Sequence, residues 1–483
     1  MSLRVKAITG VKWTTISSIV GIVVQLAQVA ILARFLSAGD LGLMALALIV
    51  IGFSQLFIDM GISSAIIHKQ QIEKHQLDSL FWLNVWLGWL MFGLIVLAAP
   101  LIAQFYHQPA LSKIIIIIGL SFIIQPFEQQ FLTIMRKELL FHEIAKRDII
   151  SKLVSFVVAV ILAWQGYGIY ALVIAYLASV AVSVVLVIIT GIKYHKPGLY
   201  FKLKDLKGFF SFGMFQTGSS IVNYFNYQVD DLLVGKLLGL ELLGIYTIAK
   251  NIVMRPTQII NPIVTQVSFP LMAKVQHEQD VLKRVYLRSI NYLSAINFQI
   301  YVYIMVAAPV IITLLFGPKW LPAVLILKIL SVYAMIRSVL NPVGSLLLAK
   351  GWSKRSFYWN IAILLFVPLF VWIGGEVWGL AGVAVMLLLL FVLLLIPAWR
   401  FLVYPACKVN LGEYLGQLIR PALVALCLFG ILSLANQVPI QQAVMKLAFL
   451  GVIFLTAALP LNKFLNNSFF TELLTAVKGK AAA

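Results

Sequence analysis

The chain reads as an all-α integral membrane protein of about fourteen transmembrane helices, two six-helix lobes followed by a C-terminal helix pair. Three observations carry that expectation. The 483 residues are 62% hydrophobic and 11% charged, with a mean hydropathy of +0.99, whereas a soluble chain is about one-quarter charged. Apolar stretches of about 20 residues, enough to cross about 30 Å of hydrocarbon, recur from residue 13 to residue 461. The positive charges, finally, gather on one side of those stretches.

Helices are expected because a lipid-exposed backbone must satisfy its own hydrogen bonds. Residues 383–395 lack the alternation of a barrel strand. The expected spans lie near 13–36, 41–66, 80–106, 111–134, 149–165 and 168–192 in the first lobe (1–205). They lie near 209–235, 243–268, 287–316, 321–348, 357–376 and 378–399 in the second (206–405), and near 415–437 and 440–461 in the remainder (406–483). The basic N-terminus followed by a full-length span reads as an uncleaved first helix rather than a signal peptide.

Net charge is +20, which in a soluble protein would point to nucleic acid. Here the location of the charge excludes that. With the N-terminus in the cytoplasm, 28 of the 37 Lys and Arg fall on the cytoplasmic side, including Arg136, Lys137, Lys146, Arg147 and Lys152 in one expected loop. Five (Arg34, Lys113, Lys236, Lys319, Lys446) fall opposite, and four lie within spans. This is the positive-inside pattern, and an even number of spans puts both termini in the cytoplasm.

Two internal matches divide the chain. Arg34-Phe-Leu-Ser-Ala-Gly-Asp-Leu-Gly42 aligns with Lys236-Leu-Leu-Gly-Leu-Glu-Leu-Leu-Gly244 at an offset of 202 (236 − 34), which also pairs Ala47 with Ala249. Gly166-Tyr-Gly-Ile169 aligns with Val377-Trp-Gly-Leu380 at an offset of 211 (377 − 166). Six spans per half is even, so the copies share an orientation, as in transporters that bind substrate between halves and alternate access by rocking.

Ionisable groups inside a membrane are costly, about 2.5–3.5 kcal/mol on insertion scales, and face a cavity or a partner. Helical spacing places Asn223, Asn226 and Asp230 on one face of span seven. Asn251, Arg255 and Gln258 share a face of span eight, which Pro256 and Pro262 bend. Gln55, Asp59 and Ser63 share a face of span two, and Arg337, Asn341 and Ser345 a face of span ten. Ser18, Gly21, Gln25 and Gln28 form an uncharged stripe in span one. On a functional reading, Arg255, Arg337 and Lys250 are cavity cations for an anionic head group. Asp59, Glu128, Asp230 and Asp231 then serve ion coupling. On the plainer reading the charges brace one another, for example Asp230 or Asp231 with Arg255. No Walker loop, metal-ligand spacing or nucleophile elbow is present, and the short loops leave no room for an ATP-hydrolysing domain. A transporter would therefore be secondary, needing no cofactor. Cys407 and Cys427 read as small apolar residues, and His68 and His75 as a solvated loop.

Certain strings resemble a known family. They are Met1-Ser-Leu-Arg4 with Gly10-Val-Lys-Trp13, Glu128-Gln-Gln-Phe131, Arg136-Lys-Glu-Leu-Leu-Phe141, Phe269-Pro270 and Phe316-Gly-Pro-Lys-Trp320. The most telling is Arg337-Ser-Val-Leu-Asn-Pro-Val-Gly-Ser-Leu-Leu-Leu-Ala-Lys350. Over about the first 360 residues the chain is similar to the Wzx-type polysaccharide exporters of the multidrug/oligosaccharidyl-lipid/polysaccharide superfamily. The resemblance implies a two-lobed bundle in the bacterial inner membrane. It implies that lipid-linked oligosaccharide repeat units with a pyrophosphate head group are flipped to the periplasmic leaflet, with H+ or Na+ as coupling ion and contact with polysaccharide assembly proteins. Bidentate guanidinium contacts suit such a phosphate. The rival expectations are a cation-coupled multidrug antiporter of the same superfamily and, from another class, a polysaccharide polymerase.

Overall fold

The computed structural model describes residues 3–59, 62, 63, 66, 72–206 and 210–477, and their side chains except at 3–8, 11, 59, 210–216 and 473–477. The described residues form helices and no strand. In order these are α1 (Leu3–Phe35), α2 (Ala38–Asp59), α3 (Lys74–Phe105), α4 (Pro109–Gly119), α5 (Pro126–Lys137), α6 (Phe141–Trp164), α7 (Tyr170–Gly191) and α8 (Phe210–Leu237). They continue as α9 (Leu240–Lys274), α10 (Gln279–Leu315), α11 (Ala323–Val339), α12 (Asn341–Ala349), α13 (Ser353–Ala398), α14 (Leu411–Ala435), α15 (Ala443–Leu465) and α16 (Asn467–Val477).

The breaks between helices follow local chemistry. Between α1 and α2, the Ser37 N–H and hydroxyl donate to Asp40 Oδ2 (3.0 and 2.7 Å) while the Asp40 N–H donates to Ser37 Oγ (3.1 Å). This reciprocal cap satisfies amides that a new helix leaves open. Pro109 opens α4 at a position where the missing N–H costs nothing. Among the described residues nine helices are long and apolar enough to cross a membrane, or ten if α4, continued by the short helix Ser121–Ile124, and α5, bent by 52° from it, are one span. Three others, α6, α8 and α9, fall on expected spans but carry the intramembrane charges Arg147, Lys152, Asp230, Asp231, Lys250 and Arg255, which dilute their apolarity.

The 46-residue α13 holds Trp378 and Gly379 in non-helical conformations. A Cβ on Gly374 would strike the carbonyl of Gly382, and one on Gly382 that of Gly374. Eight residues along a straight helix would be about 12 Å apart, so α13 is a hairpin of two arms.

By internal contacts the chain divides into Met1–Gly244 and Ile245–Ala483. In the first unit α6 packs on α1 and α7, α3 on α4, and α8, expected at the start of the second lobe, on α2. The offset of 202 has a physical counterpart here. A Cβ on Gly42 would strike the Leu240 carbonyl, and one on Gly244 the Ala38 carbonyl, and both 244 − 42 and 240 − 38 equal 202. The two matched turns therefore meet as equivalents, each needing glycine where the other's backbone arrives. Ala47 and Ala249 are both fully buried, and Gly168 and Gly379, paired at offset 211, share a left-handed φ of 55° and 59°.

The segment after α7 is tied down on the start of α3. Asp78 Oδ1 accepts the Gly198 N–H at 3.0 Å and lies 3.3 Å from His195 Nε2. Trp82 Nε1 donates to Gly198 O (2.9 Å), Ser79 Oγ accepts the Lys202 N–H (3.1 Å), and Trp86 stacks on Phe201. Burial holds the His195 imidazole below its ordinary value of 6.5; Asp78 opposes that and Lys74 adds to it.

In the second unit α10 is the central helix, packed by α11, α14 and α15. Tyr286, Phe298 and Tyr414 anchor its core. The last two long helices are joined to it by amides: Gln299 and Asn462 exchange hydrogen bonds of 3.2 and 3.1 Å. Lys283 and Glu413 form an ion pair at 2.6 Å. Large apolar side chains such as Leu97, Leu101, Leu365 and Leu434 stay exposed, as expected for faces turned to lipid.

Candidate functional site

The first unit holds a polar interior built on the broken span α4/α5. Pro126 opens α5, and a proline inside an apolar span both removes a donor and forces the chain aside. Gly88 of α3 allows the break to pack closely, since a Cβ there would strike Pro126. The bend brings Gln125 and Gln129 to α2. Gln55 Nε2 donates to Gln125 Oε1 (3.4 Å) and to the Tyr176 hydroxyl (3.3 Å). Ser63 accepts from Gln129 Nε2 (3.2 Å) and from Thr133 Oγ1 (2.9 Å). Gln55, Ile58, Gln125, Pro126 and Gln129 line a cavity of about 190 Å³. Gln55 and Ser63, expected on one face of span two, thus bond the same segment. The side chain of Asp59 between them lies outside the described residues.

Glu128 points elsewhere. It is buried, accepts a 2.5 Å hydrogen bond from Ser183 Oγ, and lies 3.9 Å from Arg147 NH1. Arg147 in turn donates to Ser183 Oγ at 3.1 Å and pairs with Asp148 at 3.1 Å. This geometry joins α5, α6 and α7.

Lys152 is the cation that periodicity misplaces. The charge count groups it with the cytoplasmic loop cations although the expected span starts at 149, and α6, which begins at Phe141, carries Lys146, Arg147 and Lys152 as helix. At 1.5 Å per residue Lys152 lies about 18 Å from the Trp164 end, within the hydrocarbon zone. Its Nζ fills the space where a Cβ on Gly21 would sit. The α1 stripe is therefore notched by glycine to receive an ammonium, with Gln25 exposed and Gln28 half-buried a turn or two further on. Among the described residues no acid pairs with Lys152. Asp230 and Asp231 of α8 are buried at 6% and 5% exposure, Asn226 is half-buried and Asn223 exposed.

In the second unit Arg337 ends α11, where the chain breaks before Asn341 and Pro342 start α12. Its NH1 donates to the Tyr333 hydroxyl at 2.6 Å, and the guanidinium lies over the rings of Tyr333 and Phe391, 5.7 and 5.5 Å from their centroids. Aromatic faces of this kind hold a cation by their quadrupole. Asn341 Oδ1, one turn on, is buried with no hydrogen-bond partner. On α9, Arg255 NH1 donates to Gln258 Oε1 (3.4 Å), as the shared face predicts, and Lys250 sits 5.8 Å from the Tyr246 ring. Arg255 is half-buried, while Asn251 and Gln258 are exposed. Pro256, Pro262 and Pro270 all lie inside this one helix.

Sequence reasoning missed Gln125, Gln129, Tyr176 and Lys152. Pro126 inside an expected span was the available signal for the first two.

The architecture is that of a known transporter class. The lipid II flippase MurJ, in its inward closed conformation, superposes with a TM-score of 0.73 at 14% identity, covering 95% of this chain and 99% of that one. The fold is thus shared with that protein. Residues 31–325 match the family described as polysaccharide biosynthesis protein, and the chain belongs to that family. Its relatives include the teichuronic acid biosynthesis protein TuaB of Bacillus subtilis (strain 168), 34% identical over 452 residues, 92% of this chain and 93% of that protein. Another is the lipopolysaccharide biosynthesis protein WzxC of Escherichia coli (strain K12), 33% identical over 427 residues, 88% and 87%.

Proposed function

We infer that this multi-pass protein is a secondary transporter of the bacterial cytoplasmic membrane. It moves undecaprenyl-pyrophosphate-linked oligosaccharide repeat units from the cytoplasmic to the periplasmic leaflet by alternating access, for surface polysaccharide synthesis. The observation that carries this reading is a cation part-way along the apolar helices of each unit: Lys152 in the first, exposed but with its Nζ against Gly21, and Arg337 in the second, half-buried in the last turn of α11. Arg337 lies about 20 Å along α11 from its start, where a guanidinium is expensive unless it serves a polar passenger. A pyrophosphate is such a passenger. Within the second unit Arg255, Lys250, Asn251, Gln258 and Asn341 are our further candidates for contact with it, and within the first Gln25, Gln28, Asn223 and Asn226. Asp230 and Asp231 are our candidates for coupling to H+ or Na+, and both termini face the cytoplasm. Relatives named for teichuronic acid and lipopolysaccharide biosynthesis, and a fold shared with a lipid II flippase, support a lipid-linked glycan over a drug.

The test is complementation of a deletion strain. Arg337→Ala is expected to lower surface polysaccharide by about ten-fold or more, the worth of one charge-assisted hydrogen bond to phosphate, while reaching the membrane at normal levels. Arg337→Lys falls between. Full export by Arg337→Ala removes that residue from the site. A deletion strain that shows drug sensitivity without accumulating repeat units on the cytoplasmic leaflet favours the antiporter.

A further inference from the structure

The glutamine-lined cavity of the first unit is unused by the cation path. Its lining is Gln55 and Ile58 from α2 with Gln125, Pro126 and Gln129 at the break before α5, and no charged side chain is among them. Polar walls in a membrane helix bundle are costly unless something bonds to them. These walls have capacity to spare. A glutamine offers two N–H donors and an oxygen with two lone pairs. Gln55 uses only its amide nitrogen, in contacts of 3.3 and 3.4 Å, and Gln125 only its oxygen, in the longer of those. The Gln55 oxygen and the Gln125 nitrogen bond nothing among the described residues, and both side chains are half-buried rather than sealed.

The chemistry selects the ligand class. A phosphate needs cations and a metal ion needs carboxylates, and among the described residues the lining has neither. Amides that both donate and accept, set beside the apolar flanks of Ile58 and Pro126, match a pyranose, which has hydroxyls at its rim and C–H groups on its faces. The cavity of about 190 Å³ is more than ten times the roughly 10–15 Å³ that one water needs on this measure, room enough for one sugar ring. We propose that the cavity formed by Gln55, Gln125 and Gln129 at the α4/α5 break is a subsite for one neutral sugar ring of the transported glycan. This rests on the transport reading above, and it assigns the sugar and the pyrophosphate to different residues.

The experiment uses the full-length protein in lipid nanodiscs, titrated with the neutral methyl glycosides of glucose, galactose and fucose and, separately, with inorganic pyrophosphate, followed by thermal unfolding and calorimetry. At least one glycoside is expected to bind saturably. Gln55→Leu and Gln125→Leu weaken it by about ten-fold, the loss of one or two hydrogen bonds, and leave pyrophosphate binding intact. Ile58→Trp, which fills the cavity and keeps every amide, abolishes glycoside binding and guards against a misfolded glutamine variant. Arg337→Ala shows the reverse, losing pyrophosphate and keeping the glycoside. The proposal is overturned if no glycoside binds, or if Ile58→Trp and the glutamine variants bind like the wild type. Pyrophosphate binding that survives such a failure leaves the transport reading standing. Glycoside binding without any export defect in the deletion strain sinks the transport reading instead.

Discussion

Replacing Gln299 by leucine breaks the bonds that hold α15 to α10. Gln299 Nε2 donates to Asn462 Oδ1 at 3.2 Å and Asn462 Nδ2 donates to Gln299 Oε1 at 3.1 Å. Each amide nitrogen also donates to the carbonyl one turn before it in its own helix, Ala295 O and Ala458 O, both at 2.7 Å. Both side chains are buried, at 6% and 4% exposure, so no water replaces a lost partner. Interhelical bonds in membranes are worth about 0.6 kcal/mol each, and at most about 1.7, so the reciprocal pair contributes about 1.2 kcal/mol. A single substitution also strands the surviving amide, which costs about 1–3 kcal/mol. Gln299→Leu and Asn462→Leu are each expected to destabilise by about 2–4 kcal/mol. The double variant, with no stranded amide, should cost little more than the lost pair, about 1 kcal/mol, and so fall below the sum by about 3 kcal/mol or more. Equilibrium unfolding of the detergent-solubilised protein by added dodecyl sulfate measures all four corners of the cycle. Strictly additive costs, or a single variant as stable as the parent, would show that these amides do not dock the C-terminal helices.

Three further outcomes follow from other parts of the molecule. Gly42→Ala and Gly244→Ala each drive a methyl into a backbone carbonyl, and each should cost about 1–3 kcal/mol; thermal unfolding that moves for one and not the other breaks the equivalence of the two turns. Because His195 is held below 6.5 by burial, the unfolded segment binds more protons than the docked one as pH falls through 6.5 toward the lowered value. Docking stability is therefore flat above 6.5 and falls with acidification. Limited proteolysis of residues 195–206 should accelerate between about pH 7 and pH 5, and His195→Gln should flatten the profile; pH-independent cleavage of the wild type contradicts it. Reporter fusions after Pro109 and Pro318 should read periplasmic and those after His142 and Gln279 cytoplasmic, and a reversal at either pair inverts the orientation.

Much of this was legible in one dimension. Glycines at equal offsets marked two turns that prove equivalent in space, because a backbone-to-backbone approach admits only glycine and so writes itself into the sequence. The polar face of Arg255 and Gln258 was readable because both residues lie on one helix. The site was harder wherever two helices contribute. Glu128 read as either an ion-coupling group or a brace, and no spacing within its own helix could name its partners, because Ser183 and Arg147 come from other helices. Lys152 read as one of the loop cations because it lies only three residues inside the expected span start at 149, while α6 begins eight residues before that start, at Phe141.

By itself, then, the sequence determined that the chain is a bundle of membrane helices, which side its cations favour, and that two stretches repeat. Hydropathy, charge and periodicity are properties of single residues or single helices, and they add along the chain. Only the tertiary structure decided that the break at Pro126 turns three glutamines into a cavity, that Gly21 makes room for Lys152, and that Tyr333 and Phe391 grip Arg337. Each of those depends on which faces of distant helices meet, and in a sequence so rich in leucine, isoleucine and valine many apolar faces pack equally well on paper. The few polar contacts discriminate among them, and they exist only once the helices are in place.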